Sequence, residues 1–289
     1  MLSLHTNAAA LSAQNSITRT QNSLSTSMTR LSTGYRINSA MDDAAGLQIA
    51  TRLKTQTSGM GVAMRNTQNS ISLMQTAEGA LDETTNILNR MKDLATQAAD
   101  GSSTSADQTA MQKEFNTLSD ELSNIFSNTK FGGTALFNSA GGKLTSALTF
   151  QIGADSSETM TGDFTTELTQ VGTDIVAAAT GFVTTGTGAA AGTELTASAN
   201  ATIGTLTTAI DTVGALRSKL GAVSNRLDHV YNNLSNISTN TKNASGRIMD
   251  VDFASESATM TSSQMLLQAG TAMLKQTNSQ SSLVLSLLQ

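Results

Sequence analysis

The sequence predicts a mainly α protein: a long antiparallel helical bundle or coiled coil built from both chain termini, with a small β-hairpin region and a short outer insertion. Three observations carry this. Over residues 213–237 the large apolar positions Val213, Leu216, Leu220, Val223, Leu227, Val230, Leu234 and Ile237 step by three and four, the rhythm of a helix burying one stripe. None of the 289 residues is Pro, so nothing interrupts a long helix. Both ends are nearly uncharged: residues 1–29 carry Arg19 alone among Lys, Arg, Asp and Glu, and residues 253–289 carry only Glu256 and Lys275. Neutral segments with Leu, Ile, Met and Ala at helical spacing belong on surfaces that become buried.

The N-terminal stripe runs Ile17, Leu24, Met28, Leu31 and Tyr35. Ser39 with Asp42 three residues on reads as a capping box opening the next helix, because hydroxyl and carboxylate can each satisfy a free backbone N–H. That helix continues through Ile71, Met74, Ala77, Leu81, Leu88, Met91, Ala95 and Ala98, with Asp82, Glu83, Arg90, Lys92 and Asp93 off the stripe. Residues 100–105 form a polar loop, and Ser105 with Gln108 reads as a second capping box. A third helix, carrying Met111, Phe115, Leu118, Leu122 and Ile125, then folds back on the second.

Phe131, Gly132 and Gly133 read as a turn, and residues 148–152 alternate like a short strand. Residues 155–200 are rich in Thr, Ala and Gly, so a surface excursion that buries little is expected there. Ile203, Leu206 and Ile210 lead into the opening heptads, and the rhythm continues weakly through Thr241, Ala244, Ile248 and Val251. As helix, residues 203–249 would extend about 70 Å, the length of a rod. Asp250 and Asp252 mark a helix junction.

Composition narrows the function. No Cys means no disulfide, Cys-based zinc site or thiol catalysis. A net charge of -5 with no basic run argues against nucleic acid as a partner. No segment is apolar for long enough to span a bilayer, and residues 1–10 lack a signal-peptide pattern, so export, if it occurs, is expected to use another route. Aromatics at 3% favour thin helical layers over one thick core.

Catalytic patterns are missing. His5 and His229 have no metal-ligand spacing around them. Asp42–Asp43 and Asp250 with Asp252 lack the further oxygen ligands of a calcium loop, and capping explains them better. Gly186, Gly188 and Gly192 have neither the strand nor the helix of a dinucleotide loop around them. No catalytic, metal or cofactor site is expected. Arg90, Leu94 and Glu114 are read as an exposed set on the second helix pair, where solvation is the ordinary explanation.

The run 30–46, RLSTGYRINSAMDDAAG, resembles the N-terminal signature of bacterial flagellin. Ser245, Gly246, Arg247 and Ile248, then Asp250, Asp252, Phe253 and Ala254, then Gln268, Ala269, Gly270 and Thr271, and finally residues 284–288 resemble its C-terminal region. QTAEGAL at 75–81 and LRSKLGAVSNRL at 216–227 add to the match, which covers residues 1–153 and 203–289. Two departures are Met41, where the family often has Lys, and residues 282–283, where many members carry a nearby Pro.

The resemblance implies a structural subunit that self-assembles helically into the bacterial flagellar filament, serving motility, extracellular and exported unfolded by the flagellar type III apparatus. It implies an inner terminal coiled-coil domain of residues 1–38 and 252–289, an outer helical rod with a β-hairpin of residues 39–170 and 203–251, and a short variable surface insertion of residues 171–202. The heptads at 213–237 would then pack against residues 71–98 and 111–125 of the same chain. Ile17, Leu24, Leu31, Leu285, Leu287 and Leu288 are the implied terminal assembly residues. Implied partners are copies of itself, a flagellar export chaperone, and filament cap and hook–filament junction proteins, with no nucleic acid and no membrane.

Arg90, Leu94 and Glu114 match positions that contact host Toll-like receptor five. Residues 29–50 resemble the peptide detected by plant receptors, and Leu285, Leu287 and Leu288 match leucines sensed inside host cells. Two other readings are a hook–filament junction protein, which shares the terminal helices, and a secreted enzyme with a metalloprotease insert. The absence of HExxH counts against the second.

Overall fold

The computed structural model describes residues 7–184 and 192–287, with side chains described through residue 279. The elements are α1 (Ala8–Thr33), α2 (Ala44–Ala98), α3 (Ser105–Asn128), β1 (Lys130–Phe131), β2 (Thr134–Ala135), β3 (Leu148–Gln151), β4 (Thr159–Gly162), α4 (Thr165–Ala178), α5 (Glu194–Met249) and α6 (Phe253–Leu287). Packing divides them into a terminal unit, Met1–Thr57 with Thr239–Gln289, and a central unit, Ser58–Ser238.

The helices begin where side chains can replace missing backbone partners, but one or more residues away from the expected positions. The carboxylate of Asp42 accepts from the Ser39 and Asn38 amides at 2.9 and 3.1 Å, closing a turn before the helix. Asp43 is the residue that caps α2, accepting from the Gly46 amide at 2.8 Å. The expected Ser39–Asp42 helix start is corrected accordingly, because Asp42 is committed to amides behind it. The second box is also displaced: Thr104 and Asp107, not Ser105 and Gln108, cap α3 reciprocally.

In the central unit, Met74, Ala77, Leu81, Leu88 and Met91 of α2, Phe115, Leu122 and Phe126 of α3, and Leu206, Val213, Leu216, Leu220 and Leu227 of α5 form one apolar cluster. The heptad stripe of α5 does face α2 and α3. Its last members are less covered: Val230 is half-buried and Ile237 exposed. Threonines inside the long helices do not disturb this packing. Buried Thr67 and Thr84 donate to the carbonyls of Ala63 and Ala80, both at 2.8 Å, so each hydroxyl is satisfied within its own helix.

Two small antiparallel ribbons follow α3. β1 and β2 pair Lys130 with Ala135 and Phe131 with Thr134 around Gly132 and Gly133, whose φ of 58° and 80° suit a tight hairpin that L residues with side chains rarely adopt. β3 pairs with β4, Leu148 opposite Gly162 and Phe150 opposite Met160.

The Thr/Ala/Gly stretch departs from expectation. Rather than burying little, it supplies β4, α4 and the start of α5, and Phe164, Leu168, Val171, Ile175, Phe182 and Leu195 are all in the core. Phe126 meets Phe137 and Phe182 at ring-centroid distances of 5.3 Å, the second pair edge-on. The few aromatics are therefore concentrated here, and the layering thickens into a local core. Glu194 fastens the stretch further: its carboxylate accepts from the Thr180 amide and hydroxyl at 2.7 and 2.6 Å and from the Gln112 amide group at 2.8 Å. Gln112 in turn accepts from the Leu195 amide at 2.7 Å. Burial alone would raise the Glu194 carboxyl, but the bonds from Thr180 and Gln112 outweigh it and hold the group below its ordinary range.

Candidate functional site

The terminal unit is built on a two-helix seam. On α1 the residues that lose solvent include Ala10, Ala13, Ile17, Thr20, Leu24, Ser27 and Leu31; on α6 they include Glu256, Met260, Ser263, Leu267, Gly270, Leu274 and Thr277. Both sets step by three and four, as two helices in coiled-coil contact require. The pairing is antiparallel: the Asn7 side chain donates to the Thr277 carbonyl at 3.5 Å, and Arg30 meets Glu256 at 3.6 Å near the opposite end. Between them, a Cβ on Gly270 would stand 2.9 Å from the Ile17 side chain, so glycine is what lets α6 approach there.

Ile17, Leu24 and Leu31, named from the sequence as assembly residues, lie half-buried on this seam against the chain's own α6. The large apolar residues left facing outward along the pair are Leu11 and Met28 on α1 and Met265, Leu266 and Met273 on α6, with Phe253 exposed at the start of α6. Leu266 and Met273, seven residues apart, share one outward stripe. The stripe expected on α1 is corrected at Met28 and Tyr35, which stay exposed while Ile17, Leu24 and Leu31 meet α6, and the outward residues of α6 carry no pattern that tells them from its seam residues. The small seam residues Ser263 and Gly270 were the available signal. The side chains of Leu285, Leu287 and Leu288 lie outside those described.

The two ends of the chain also meet where their signatures lie. Val251 donates its amide to the Gly34 carbonyl at 3.0 Å, and Arg36 donates its amide to Met249 and its guanidinium to Ile248, at 2.6 and 2.8 Å. Tyr35 bridges Asp250 in an antiparallel step, and Asp252 caps α6 by accepting from the Ala254 amide at 3.0 Å. Ile37 is fully buried beneath this crossing, while Tyr35, Met41 and Phe253 stay exposed. The amides of Ser39 and then Asn38 stabilise the charged form of Asp42 and hold its carboxyl below its usual value.

On the central unit, Arg90 of α2 and Glu114 of α3 come together as an exposed ion pair, with Nε and Nη2 donating to one carboxylate oxygen at 2.9 and 2.7 Å. Leu94 does not join them at the surface. At 2% exposure it is a core residue, because the turn of α2 that carries it faces the other helices. His229 is exposed on α5, while His5, Gly186 and Gly188 lie outside the described residues. Among the described residues, no three acidic or histidine side chains cluster as metal ligands, and no helix is long and apolar enough to cross a membrane.

Two family models match the chain: the bacterial flagellin N-terminal helical region over residues 4–141 and the C-terminal helical region over residues 203–288. Polar flagellin F of Vibrio parahaemolyticus is 53% identical over 157 residues, and flagellin C of Vibrio cholerae is 50% identical over the same length. Each match covers 54% of this chain and 41% of the relative, so the chain spans about two-fifths of the length of these relatives. A solved structure described as a flagellar hook-associated protein of Vibrio parahaemolyticus is 19% identical, covering 72% of this chain and 100% of that one with a TM-score of 0.55. At that identity the likeness concerns the fold alone.

Proposed function

The chain belongs to the bacterial flagellin family, and from that premise we propose that it is a non-catalytic structural subunit that self-assembles helically into the flagellar filament and serves motility. The observation that carries the reading is the unfinished terminal unit. Its two helices consume one stripe each and leave Leu11, Met28, Met265, Leu266 and Met273 open on nearly uncharged surfaces. Apolar area of this kind is worth roughly 25 cal/mol per Å² when covered, and further copies of the chain are the occupants the proposal assigns.

Export by the flagellar type III apparatus, an extracellular location, and contacts with an export chaperone, a filament cap and hook–filament junction proteins belong to the same proposal. So does a division into an inner terminal domain and an outer rod at residues 38–39 and 251–252, with residues 171–202 as the variable segment. Recognition by Toll-like receptor five is proposed for Arg90 and Glu114, which are open to a partner. Leu94 would act from beneath by supporting the helix face.

The test is seeded growth. Purified chain added to short filament fragments should extend them into long helical fibres under the electron microscope. A folded chain that stays monomeric beside active seeds would overturn the filament reading.

A further inference from the structure

The exposed and the fully buried methionines divide between the units without overlap, while Met64 of the central unit and Met249 and Met260 of the terminal unit are half-buried. Among the described residues, Met28, Met41, Met265 and Met273 are exposed, at 50, 96, 61 and 64%, and all four belong to the terminal unit. Met60, Met74, Met91, Met111 and Met160 are buried, and all five belong to the central unit. The chain has no Cys, so no thiol competes with these thioethers for an oxidant. Exposure governs how fast a thioether is oxidised, and the product sulfoxide is polar where the parent side chain is apolar.

We propose that Met28, Met265 and Met273 form a reversible oxidation site that switches off self-association, with Met41, which lies in the turn before α2 and off both helices of the pair, oxidised alongside them but silent. The proposal rests on the filament reading, which places these outward residues under neighbouring copies. The oxidant class is a two-electron peroxide. A sulfur lone pair attacks one peroxide oxygen and the O–O bond breaks. Sulfur gains that oxygen and loses two electrons, while the other oxygen takes up both protons and leaves as water. Reversal requires a thiol-dependent methionine sulfoxide reductase. The seam loses no methionine of this set, so the two-helix pair itself stays folded.

In the experiment, full-length monomer is treated with hydrogen peroxide, mapped by peptide mass spectrometry and added to filament seeds. Sulfoxide should appear at Met28, Met41, Met265 and Met273 well before Met74 and Met91. Oxidised chain should need about a tenfold higher concentration for growth, corresponding to about 1.4 kcal/mol. Treatment with a mixture of the two sulfoxide reductases should restore growth. A triple variant, Met28→Leu with Met265→Leu and Met273→Leu, should grow at the same rate with and without peroxide treatment, whatever its untreated rate, whereas Met41→Leu should lose growth after peroxide as the unmodified chain does.

Equal oxidation of Met74 and Met91 overturns the site. Normal growth of chain carrying the mapped sulfoxides, or a triple variant as sensitive as the unmodified chain, overturns the switch. Failure of unoxidised chain to grow overturns the filament reading and the switch with it, while the oxidation map stands or falls on its own.

Discussion

The terminal and central units use the same helical material and finish it differently. In the central unit α2, α3, α4 and α5 close around one large apolar cluster beside a small one of Met60, Ala63 and Leu234, and among the described residues Val62, Val176 and Ile237 are its exposed large apolar side chains. In the terminal unit Ile37 and Ala50 are the only buried apolar residues among those described, while nine large apolar side chains stay exposed. One unit covers most of its large apolar side chains with its own helices. The other stops at a seam of small residues and half-buried leucines, too thin to cover its own outer faces. Self-sufficiency in a helical protein thus depends on the number of layers available to each stripe, more than on the stripe itself.

The largest test of that contrast is Phe126→Ala. It removes the ring that meets both Phe137 and Phe182 and should cost about 3–5 kcal/mol in urea unfolding of the central unit. A loss under 1 kcal/mol would mean that the central core is no better packed than the terminal seam. Next, Gly270→Val places carbon against Ile17 and should destabilise the α1–α6 pair by about 1–3 kcal/mol. Helix signal should fall while the near-ultraviolet signal of the central unit persists, and adding Ile17→Ala should recover part of the loss.

Glu194→Gln should cost about 1–2 kcal/mol at neutral pH, since a charged acceptor for Thr180 and Gln112 is replaced by a neutral one. The sign with pH follows from the lowered carboxyl. Its stabilisation is complete above its ordinary 4.5 and disappears as pH falls through the folded value. Unmodified chain and variant should therefore converge in stability in acid, and a constant gap across that range would assign the effect to packing.

Arg90→Ala breaks an exposed pair and should shift stability by no more than about 1 kcal/mol, less in high salt. The smallest stability effect, within about 0.5 kcal/mol, is expected for Leu266→Asp on the outer face of α6. Yet this variant should fail to extend seeds, and normal growth would show that the exposed stripe is not an assembly surface.

Much of this was legible in sequence. The stripe from Val213 to Leu227 fixed a helix and its buried face, and Gly132–Gly133 fixed the hairpin. The segment after Asp155 hides its core residues in a composition dominated by Thr, Ala and Gly. Its pattern nonetheless held the signal: Phe164, Leu168, Val171, Ile175 and Phe182 recur at helical spacing. The caps were displaced because several adjacent Ser, Thr and Asp residues could each serve, and only the bend of the chain selects one. Leu94 is hidden from sequence for a related reason: beside Asp93 and Arg90 it looks peripheral, yet the turn of α2 directs it inward.

By itself the sequence determined that both ends are long helices with neutral faces, since the absence of Pro and the steps of three and four are local properties. Which residues of those ends would be covered was decided only by tertiary structure. Ile17 is covered and Met28 is not because α6 brings Gly270, a residue without a side chain, to the one stripe of α1 it can approach closely. A helix defines several candidate faces along its length, and the partner's side-chain volume selects among them.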